Sequence, residues 1–422
     1  MNCEIINVGT ELILGQTINA NAAFIARKLA EAGIDCYFQT SVGDNISRLS
    51  SVLKQAIKRS DVVILTGGLG STNDDITREA IATAFAKKLD LEPHLVLMIE
   101  EKMVQFKMPI IRKTMRQAYL PEGAQAIPPV KGTAPGIILE IEKKTVFALP
   151  GVPAEMETML EKSVLPYIKR RYGRVGEVIL SRILKISGMR EADLEEKIAN
   201  IIAAQTNPTI APLVGLGEVH LRLTAKAGSV ETARELIERE EEKIRDRVGD
   251  FIFGVDDEEM GDVVGKLLKR QHFTISVAES MTGGLVCSRL VDSPGSSDYF
   301  MGGIVAYGNQ VKTKVLGVSP ETLLSEGAVS AACAEQMASG IRQLLGTSIG
   351  LAVTGISGPS GSTPEKPVGL THFALAAADA LIRNHYIFRG SRNEIRFKAS
   401  QHLLNTLRLY LIKKERREGE PA

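Results

Sequence analysis

Ser280 is placed to act as a nucleophile. It follows the apolar run Ile275-Ser276-Val277-Ala278-Glu279 and opens Ser280-Met281-Thr282-Gly283-Gly284, after which Leu285, Val286, Arg289 and Leu290 recur at helical spacing. Strand, tight turn and helix start in that order aim several main-chain N–H groups, and the positive end of a helix dipole, at one point. Gly283 and Gly284 let a ligand approach the backbone closely. Taken alone, the stretch also reads as an ordinary Ser/Thr helix cap. Two further strand-like runs change the balance. Phe300 to Ala306 leads into Tyr307, with Lys312 about one turn into the next helix. Ile349 to Val353 opens into Thr354-Gly355-Ile356-Ser357-Gly358-Pro359. In a parallel α/β sheet, strand C-termini converge on the ligand crevice. A serine beside a lysine held neutral by burial, or beside a tyrosinate, can lose its proton without a histidine. The residues leave open which of Lys312 and Tyr307 is the base. His272, His372, His385 and His402 are scattered, which argues against a Ser-His-Asp triad.

A second constellation lies in the first half. The continuous apolar run Asp61-Val62-Val63-Ile64-Leu65 empties into Thr66-Gly67-Gly68-Leu69-Gly70-Ser71-Thr72-Asn73-Asp74-Asp75-Ile76-Thr77. Its glycines free the backbone to wrap a phosphate-like group. It is neither the Walker pattern nor G-x-G-x-x-G. Asp74 and Asp75 suit helix capping, but acids in a phosphate loop also call for a divalent cation to bridge like charges. Glu11 and Asp44 fall at two other strand ends, so Glu11, Asp44 and Asp75 around one crevice would suit Mg²⁺ and a pyrophosphate.

The elements that must position these residues follow from periodicity. Cys3–Val8, Asp35–Val42 and Asp61–Leu65 read as strands, with helices from about Asn19 or Asn21 to Ala32 and from Asn45 to Arg59 between them. This alternation argues for a doubly wound parallel sheet. A hairpin, Ile137–Ile141 and Val146–Leu149, and a helix from Ala154 to Arg171 close the domain. Tyr172-Gly173-Arg174-Val175-Gly176 reads as a linker. Beyond it the order strand, helix, strand, strand, helix, strand from Val178 to Phe253 suggests a small α+β domain. From about Glu258 the chain again alternates strand and helix, with an antiparallel extension at Gly369–Ala376 and His385–Arg389. A helix from Asn393 to Leu411 follows, with Arg392 and Arg396 at its start as candidate anion contacts. Gly358 to Lys366, rich in Gly, Ser and Pro, suits a mobile loop over a site. The expected division is 1–171, 172–256, 257–412 and a charged, disordered tail at 413–422.

The 422 residues carry 51 Lys and Arg against 50 Asp and Glu, so no global field draws the chain to nucleic acid or membrane. The helix Glu231–Asp246 mixes both signs and no basic G-x-x-G loop joins two helices, so direct nucleic-acid binding is not expected. The four cysteines, Cys3, Cys36, Cys287 and Cys333, lack C-x-x-C spacing and read as buried free thiols of a reducing compartment. No apolar run is long enough to span a bilayer, and Met1 runs straight into a strand, so a cytoplasmic location is expected.

Several of these motifs carry a resemblance. Ala278-Glu279-Ser280-Met281-Thr282-Gly283-Gly284, Gly295-Ser296-Ser297, Tyr307 to Lys312, Thr354-Gly355 and Thr363-Pro364-Glu365-Lys366-Pro367-Val368-Gly369 resemble, in order, the C-terminal domain of the CinA family, whose members are nicotinamide mononucleotide (NMN) deamidases. The resemblance implies Ser280 as nucleophile, Lys312 and Tyr307 as its activators, and Thr282, Gly283, Gly284, Thr354 and Gly355 along the substrate site with Arg392 and Arg396. Met281 stands where Cys is common, and Gly390-Ser391-Arg392 where Gly-Asp-Arg is usual. The first half, through Gly9-Thr10-Glu11, Thr66 to Gly70 with Asp75 and Thr77, Gly132-Thr133-Ala134-Pro135-Gly136 and Pro150-Gly151-Val152-Pro153-Ala154-Glu155-Met156, is similar to the molybdopterin-binding fold of the MoaB/MogA type found at the N-terminus of CinA proteins. Pro128-Pro129-Val130-Lys131 departs from it. In that setting the resemblance implies a metal-dependent ADP-ribose pyrophosphatase, with Thr66, Gly67, Gly68, Gly70 and Thr77 on the phosphates and Glu11, Asp44 and Asp75 on Mg²⁺. A KH-like domain lies between as spacer or dimerisation element, in an expected homodimer. The competing readings are a molybdopterin-type binding module without N-terminal catalysis, and an interaction protein connected with competence.

Overall fold

The computed structural model describes residues 1–109, 112–173 and 177–419. Of the expected linker, residues 174–176 lie outside them. By its internal contacts the chain forms two compact units, Met1–Leu180 with Ala225–Glu235, and Ser181–Thr224 with Leu236–Ala422.

In the first unit β1 (Asn2–Val8), β2 (Asp35–Val42) and β3 (Val62–Thr66) begin the sheet. A small antiparallel ribbon, β4 (Leu89–Leu91) with β5 (Tyr119–Pro121), stands apart from it. β6 (Gln125–Ile127), β7 (Gly136–Ile141) and β8 (Lys144–Leu149) complete the sheet in the order β2-β1-β3-β8-β7-β6. The first four strands in that order are parallel and the last two pairings antiparallel. β3 is apolar at Val62 to Leu65 because both of its faces are covered. One face packs on Leu49, Leu53, Ile81 and Ile99, the other on Ile25, Leu29, Met156 and Ile168. The closing helix is not uniform. It is α-helical over Pro153–Met159 and Leu165–Tyr172 and widens to a π-turn over Leu160–Val164. Pro166 explains this: it has no N–H and its ring displaces the carbonyl four residues back.

β9 (Val178–Ile186), β10 (Thr209–Gly215), β11 (Glu218–Ala227) and β12 (Ile252–Val255) form a four-stranded sheet ordered β10-β11-β9-β12. Helices Glu191–Ala204 and Val230–Val248 occupy the two expected places in the chain order.

The remainder of the second unit is a three-layer α/β/α sandwich. Its sheet comprises β13 (Ile275–Glu279), β14 (Phe300–Val305), β15 (Ile349–Gly355), β16 (Leu370–Ala376) and β17 (Leu381–Ile387), ordered β14-β13-β15-β16-β17. β14, β13 and β15 are parallel; β16 and β17 add the antiparallel extension. Alternation along β13 sends Ile275 and Val277 to a core with Val264, Leu268, Leu403 and Leu407, and Ala278 to a core with Cys333, Met337 and Ile341. The chain leaves β13 for a neighbour on one side and later returns on the other, so the switch point lies at the C-terminal end of β13. Of the tail expected to be disordered, residues 420–422 lie outside the described residues and residues 413–419 are helical, the end of one helix that runs Arg392–Gly419. No glycine or proline interrupts it before Gly419, and its charged end is held by Lys414–Asp379, Glu415–Arg270 and Arg416–Asp250 ion pairs. The four cysteines are free thiols, Cys3 and Cys333 buried, Cys36 and Cys287 half-buried. Among the described residues no helix is long and apolar enough to cross a membrane.

Candidate functional site

Ser280 leaves the end of β13 with its N–H bonded to the Val353 carbonyl (3.0 Å). Only 8% of it is exposed. Helix Asn309–Lys314 brings Lys312, 1% exposed, against it, with Nζ 3.2 Å from Ser280 Oγ. The same Nζ lies 2.6 Å from the Ala306 carbonyl oxygen and 3.1 Å from that of Tyr307. A neutral amine has two N–H bonds and one lone pair. As an ammonium Lys312 donates to all three oxygens; as a neutral amine its two N–H groups stay on the carbonyls and the lone pair is left for the serine hydroxyl. Burial pushes the Lys312 ammonium below the usual lysine range, with the Cys333 thiol opposing weakly.

Tyr307 enters this geometry through its backbone. Its side chain is 64% exposed, and its carbonyl, not its phenol, meets Lys312. Lys312, and not the Tyr307 phenol, is therefore the side chain that the structure sets against Ser280. Tyr307→Phe is expected to lower the rate of any Ser280 chemistry at least tenfold less than Lys312→Met does, which parallel steady-state kinetics would measure.

Glu279 was quoted in the motif without a role, and the structure supplies one. Its carboxylate is wholly buried and accepts from the N–H groups of Gly284 (2.9 Å), Val286 (3.2 Å) and Cys287 (2.8 Å). The helix Leu285–Val291 thus spends its N-terminal donors on Glu279, and Gly283 N–H donates to the Ser280 carbonyl. Among the described residues the N–H groups of Met281 and Thr282, next to Ser280 in the turn, have no partner. Gly283, whose N–H is taken by the Ser280 carbonyl, is therefore not free to donate to a ligand there. Glu279→Ala strands three N–H donors and should destabilise this domain by roughly 3 kcal/mol or more, read from its unfolding midpoint in urea.

Around this centre the other expected residues take varied places. Gly283 and Gly284 have φ of +62° and +95°, which the turn requires. Thr282 is buried with its hydroxyl unpartnered among the described residues. Thr354 follows on β15 and donates to the Ala328 carbonyl (2.7 Å). A Cβ on Gly355 would stand 2.6 Å from both the Leu370 carbonyl oxygen and Met281 Sδ, so the thioether and the glycine fit as a pair. Arg396 donates to the Thr282 carbonyl (2.7 Å) and Arg392 to the Gly358 carbonyl (2.6 Å): both arginines brace loops. The Gly358–Lys366 loop is itself tied down, since Lys366 Nζ donates to the Glu326 and Val329 carbonyls.

In the first unit Thr66, Gly67, Gly68 and Gly70 line two neighbouring cavities. One of about 160 Å³ includes Glu11, Asn21, Thr66 and Gly67; the other, about 320 Å³, includes Gly68, Gly70, Asp75, Thr133 and Glu155. Asn21 serves as a strut, donating to Thr66 Oγ1 and the Gly151 carbonyl, while Asn19 caps the helix. Thr77 is buried behind the loop and donates to the Gly67 carbonyl (2.7 Å), so it shapes the loop from the rear. The three expected metal ligands are not gathered. Asp44 accepts from the N–H and hydroxyl of Thr10, and Asp75 from Gly70 N–H, Thr72 N–H and the Thr72 hydroxyl. Among the described residues no group of three or more His, Cys, Asp or Glu could hold a metal ion. As a preformed cage for Mg²⁺ the trio does not fit; acids at strand ends have satisfied local N–H groups first. Glu155, not singled out beforehand, faces the larger cavity with Asp75, and burial raises its pKa.

Comparison with known proteins agrees with this architecture. Residues 4–170 match the family described as probable molybdopterin binding domain, 181–254 the damage-inducible protein CinA KH domain, and 257–411 the CinA C-terminal domain. A CinA-like protein of Dictyoglomus thermophilum is 46% identical over 412 residues, covering 98% of this chain and all of the relative; one from Kosmotoga olearia is 46% identical over 412 residues, covering 98% and 99%. Among solved structures, the protein CinA from Thermoplasma acidophilum is 34% identical over 38% of this chain and 94% of its own, with a TM-score of 0.36. The chain thus carries a probable molybdopterin binding domain, a CinA KH domain and a CinA C-terminal domain in series. The chain belongs to the CinA family.

Proposed function

We propose that the C-terminal domain is an amide hydrolase that deamidates NMN to nicotinic acid mononucleotide and ammonia. The observation that carries this reading is the buried Lys312 amine 3.2 Å from Ser280 Oγ, with its two other partners both carbonyls. Neutral Lys312 takes the Ser280 proton as Oγ bonds to the carboxamide carbon. The oxyanion receives the Met281 and Thr282 N–H groups. When the C–N bond breaks, the Lys312 proton leaves with the amine as ammonia. Water, deprotonated by the same lysine, then cleaves the acyl-serine, and the nicotinate carboxylate departs. Tyr307, exposed at the C-terminal end of β14, is available to the pyridine ring. Ammonia release from NMN by the purified chain tests the reading; a parent chain that releases none would overturn it.

For the N-terminal domain the reading is hydrolysis of ADP-ribose to AMP and ribose 5-phosphate. The glycine loop with outward N–H groups, beside a cavity holding Asp75 and Glu155, supports a diphosphate ester over a purely structural module. Mg²⁺ belongs to this reading as an ion brought by the substrate phosphates. Formation of AMP from ADP-ribose tests it. A cytoplasmic homodimer is proposed as its setting.

A further inference from the structure

Four consecutive carbonyls of the glycine loop after β3 are gripped from behind. Thr77 Oγ1 donates to Gly67 O (2.7 Å) and Thr77 N–H to Gly68 O (3.1 Å). Arg78 forks onto Leu69 O through Nη1 (2.9 Å) and Nη2 (2.8 Å), and Nη2 reaches Gly70 O (2.6 Å). Arg116 Nη1 adds Thr72 O (2.8 Å) while its other donors pair with Glu79. These peptide bonds are trans, and a trans peptide points its N–H opposite to its C=O. Holding the carbonyls of residues 67–70 therefore turns the N–H groups of Gly68, Leu69, Gly70 and Ser71 away from the guanidinium. Gly70 N–H goes to Asp75 Oδ1 (2.7 Å). Those of Gly68, Leu69 and Ser71 have no partner among the described residues. Gly68, Leu69 and Gly70 form one wall of the 320 Å³ cavity.

Arg78 is itself unusual. It is 2% exposed, and its guanidinium donates to main-chain carbonyls, of Leu69, Gly70 and Arg116. Burial lowers its pKa to about 10, which still leaves it charged at neutral pH. A buried cation satisfied by carbonyls is costly to keep. The planar fork of Arg78 places four bonds in fixed directions on three carbonyls, one more than the three donors of a lysine ammonium could supply.

We infer that Arg78 is the positioning residue of an anion cradle, acting through the Leu69 and Gly70 carbonyls to present the Gly68, Leu69 and Ser71 N–H groups to the phosphate oxygens of a diphosphate ester. This rests on the N-terminal reading above. Arg78 touches no ligand; it sets the direction of the donors that do.

The test is calorimetric binding of inorganic pyrophosphate, with magnesium present, to the full chain and to Arg78→Lys and Arg78→Ala, the latter with and without added guanidinium ion. The parent should bind. Arg78→Ala should bind roughly thirtyfold more weakly, Arg78→Lys should fall between, and guanidinium should restore part of the loss, while ammonia release from NMN is unchanged in both variants. Pyrophosphate affinity equal to the parent in Arg78→Ala, or a loss that guanidinium leaves untouched, would overturn the cradle. Where Arg78→Ala fails to fold, Arg78→Lys decides: parent-like affinity would overturn the inference. A parent chain that binds neither pyrophosphate nor ADP-ribose would remove the N-terminal reading itself, a result visible before any substitution is made.

Discussion

Ser280→Ala should abolish ammonia release from NMN, lowering kcat by about 10⁴-fold or more, while NMN still binds with nearly the parent affinity. The substitution removes one oxygen from a residue 8% exposed and leaves its N–H bond to Val353 intact, so the fold should persist. Without Oγ the Lys312 lone pair has no hydroxyl to deprotonate, and Met281 and Thr282 have no tetrahedral oxyanion to receive. Ser280→Cys is a sharper variant. A thiol needs less help to ionise, so it should keep measurable acylation where alanine keeps none. Ammonia release surviving in Ser280→Ala would move the nucleophile elsewhere.

Lys312→Met carries the second large effect. The change keeps length and bulk and removes the amine, so kcat should fall about 10³-fold. In the parent, kcat/KM should rise with pH as the lysine loses its proton, with a midpoint below the ordinary lysine value because burial has lowered it. That rise should vanish from the residual activity of Lys312→Met. Stability should move the other way. A base with a lowered folded-state pKa is bound more tightly by protons when unfolded, so between its folded and unfolded pKa values stability rises with pH, and below both the folded state carries the penalty in full. Replacing the amine by an apolar side chain lifts that penalty. The variant should therefore unfold at the parent temperature or higher at neutral pH. Scanning calorimetry beside ammonia assays would measure both. A variant that is inactive because it is unfolded would contradict the account.

The sequence carried the order of elements and the pairing of Ser280 with Lys312. Long apolar runs such as Val62–Leu65 and Ile349–Val353 signal strands buried on both faces, and small-residue turns behind them mark strand ends. Ser280 and Lys312 were legible because their distance along the chain spans one strand-to-strand crossover. What spacing cannot give is direction. Tyr307 lies at the right strand end, yet it offers its carbonyl and turns its ring to solvent. Glu279 was one residue from Ser280, and its place under the helix start depended on which face of β13 it left from. Asp44 and Asp75 illustrate the same limit: an acid in the turn after a strand reads as a metal ligand or as a cap, and the choice rests on whether a main-chain N–H is nearer. Arg78 was hidden differently, since arginine in a helix ordinarily implies solvent, and here it points under a loop. The helical end at 413–419 was missed because dense charge suggests disorder, while its ion pairs come from residues more than thirty positions away.

The central claim is that the Ser280–Lys312 pair hydrolyses the carboxamide of NMN. The most direct measurement follows ammonia and nicotinic acid mononucleotide together, from NMN and the purified full chain, as a function of pH. The account predicts the two products in equal amounts, at a rate that climbs with pH until Lys312 is neutral. Products absent at every pH, or a rate that falls as pH rises through that range in a folded protein, would contradict it.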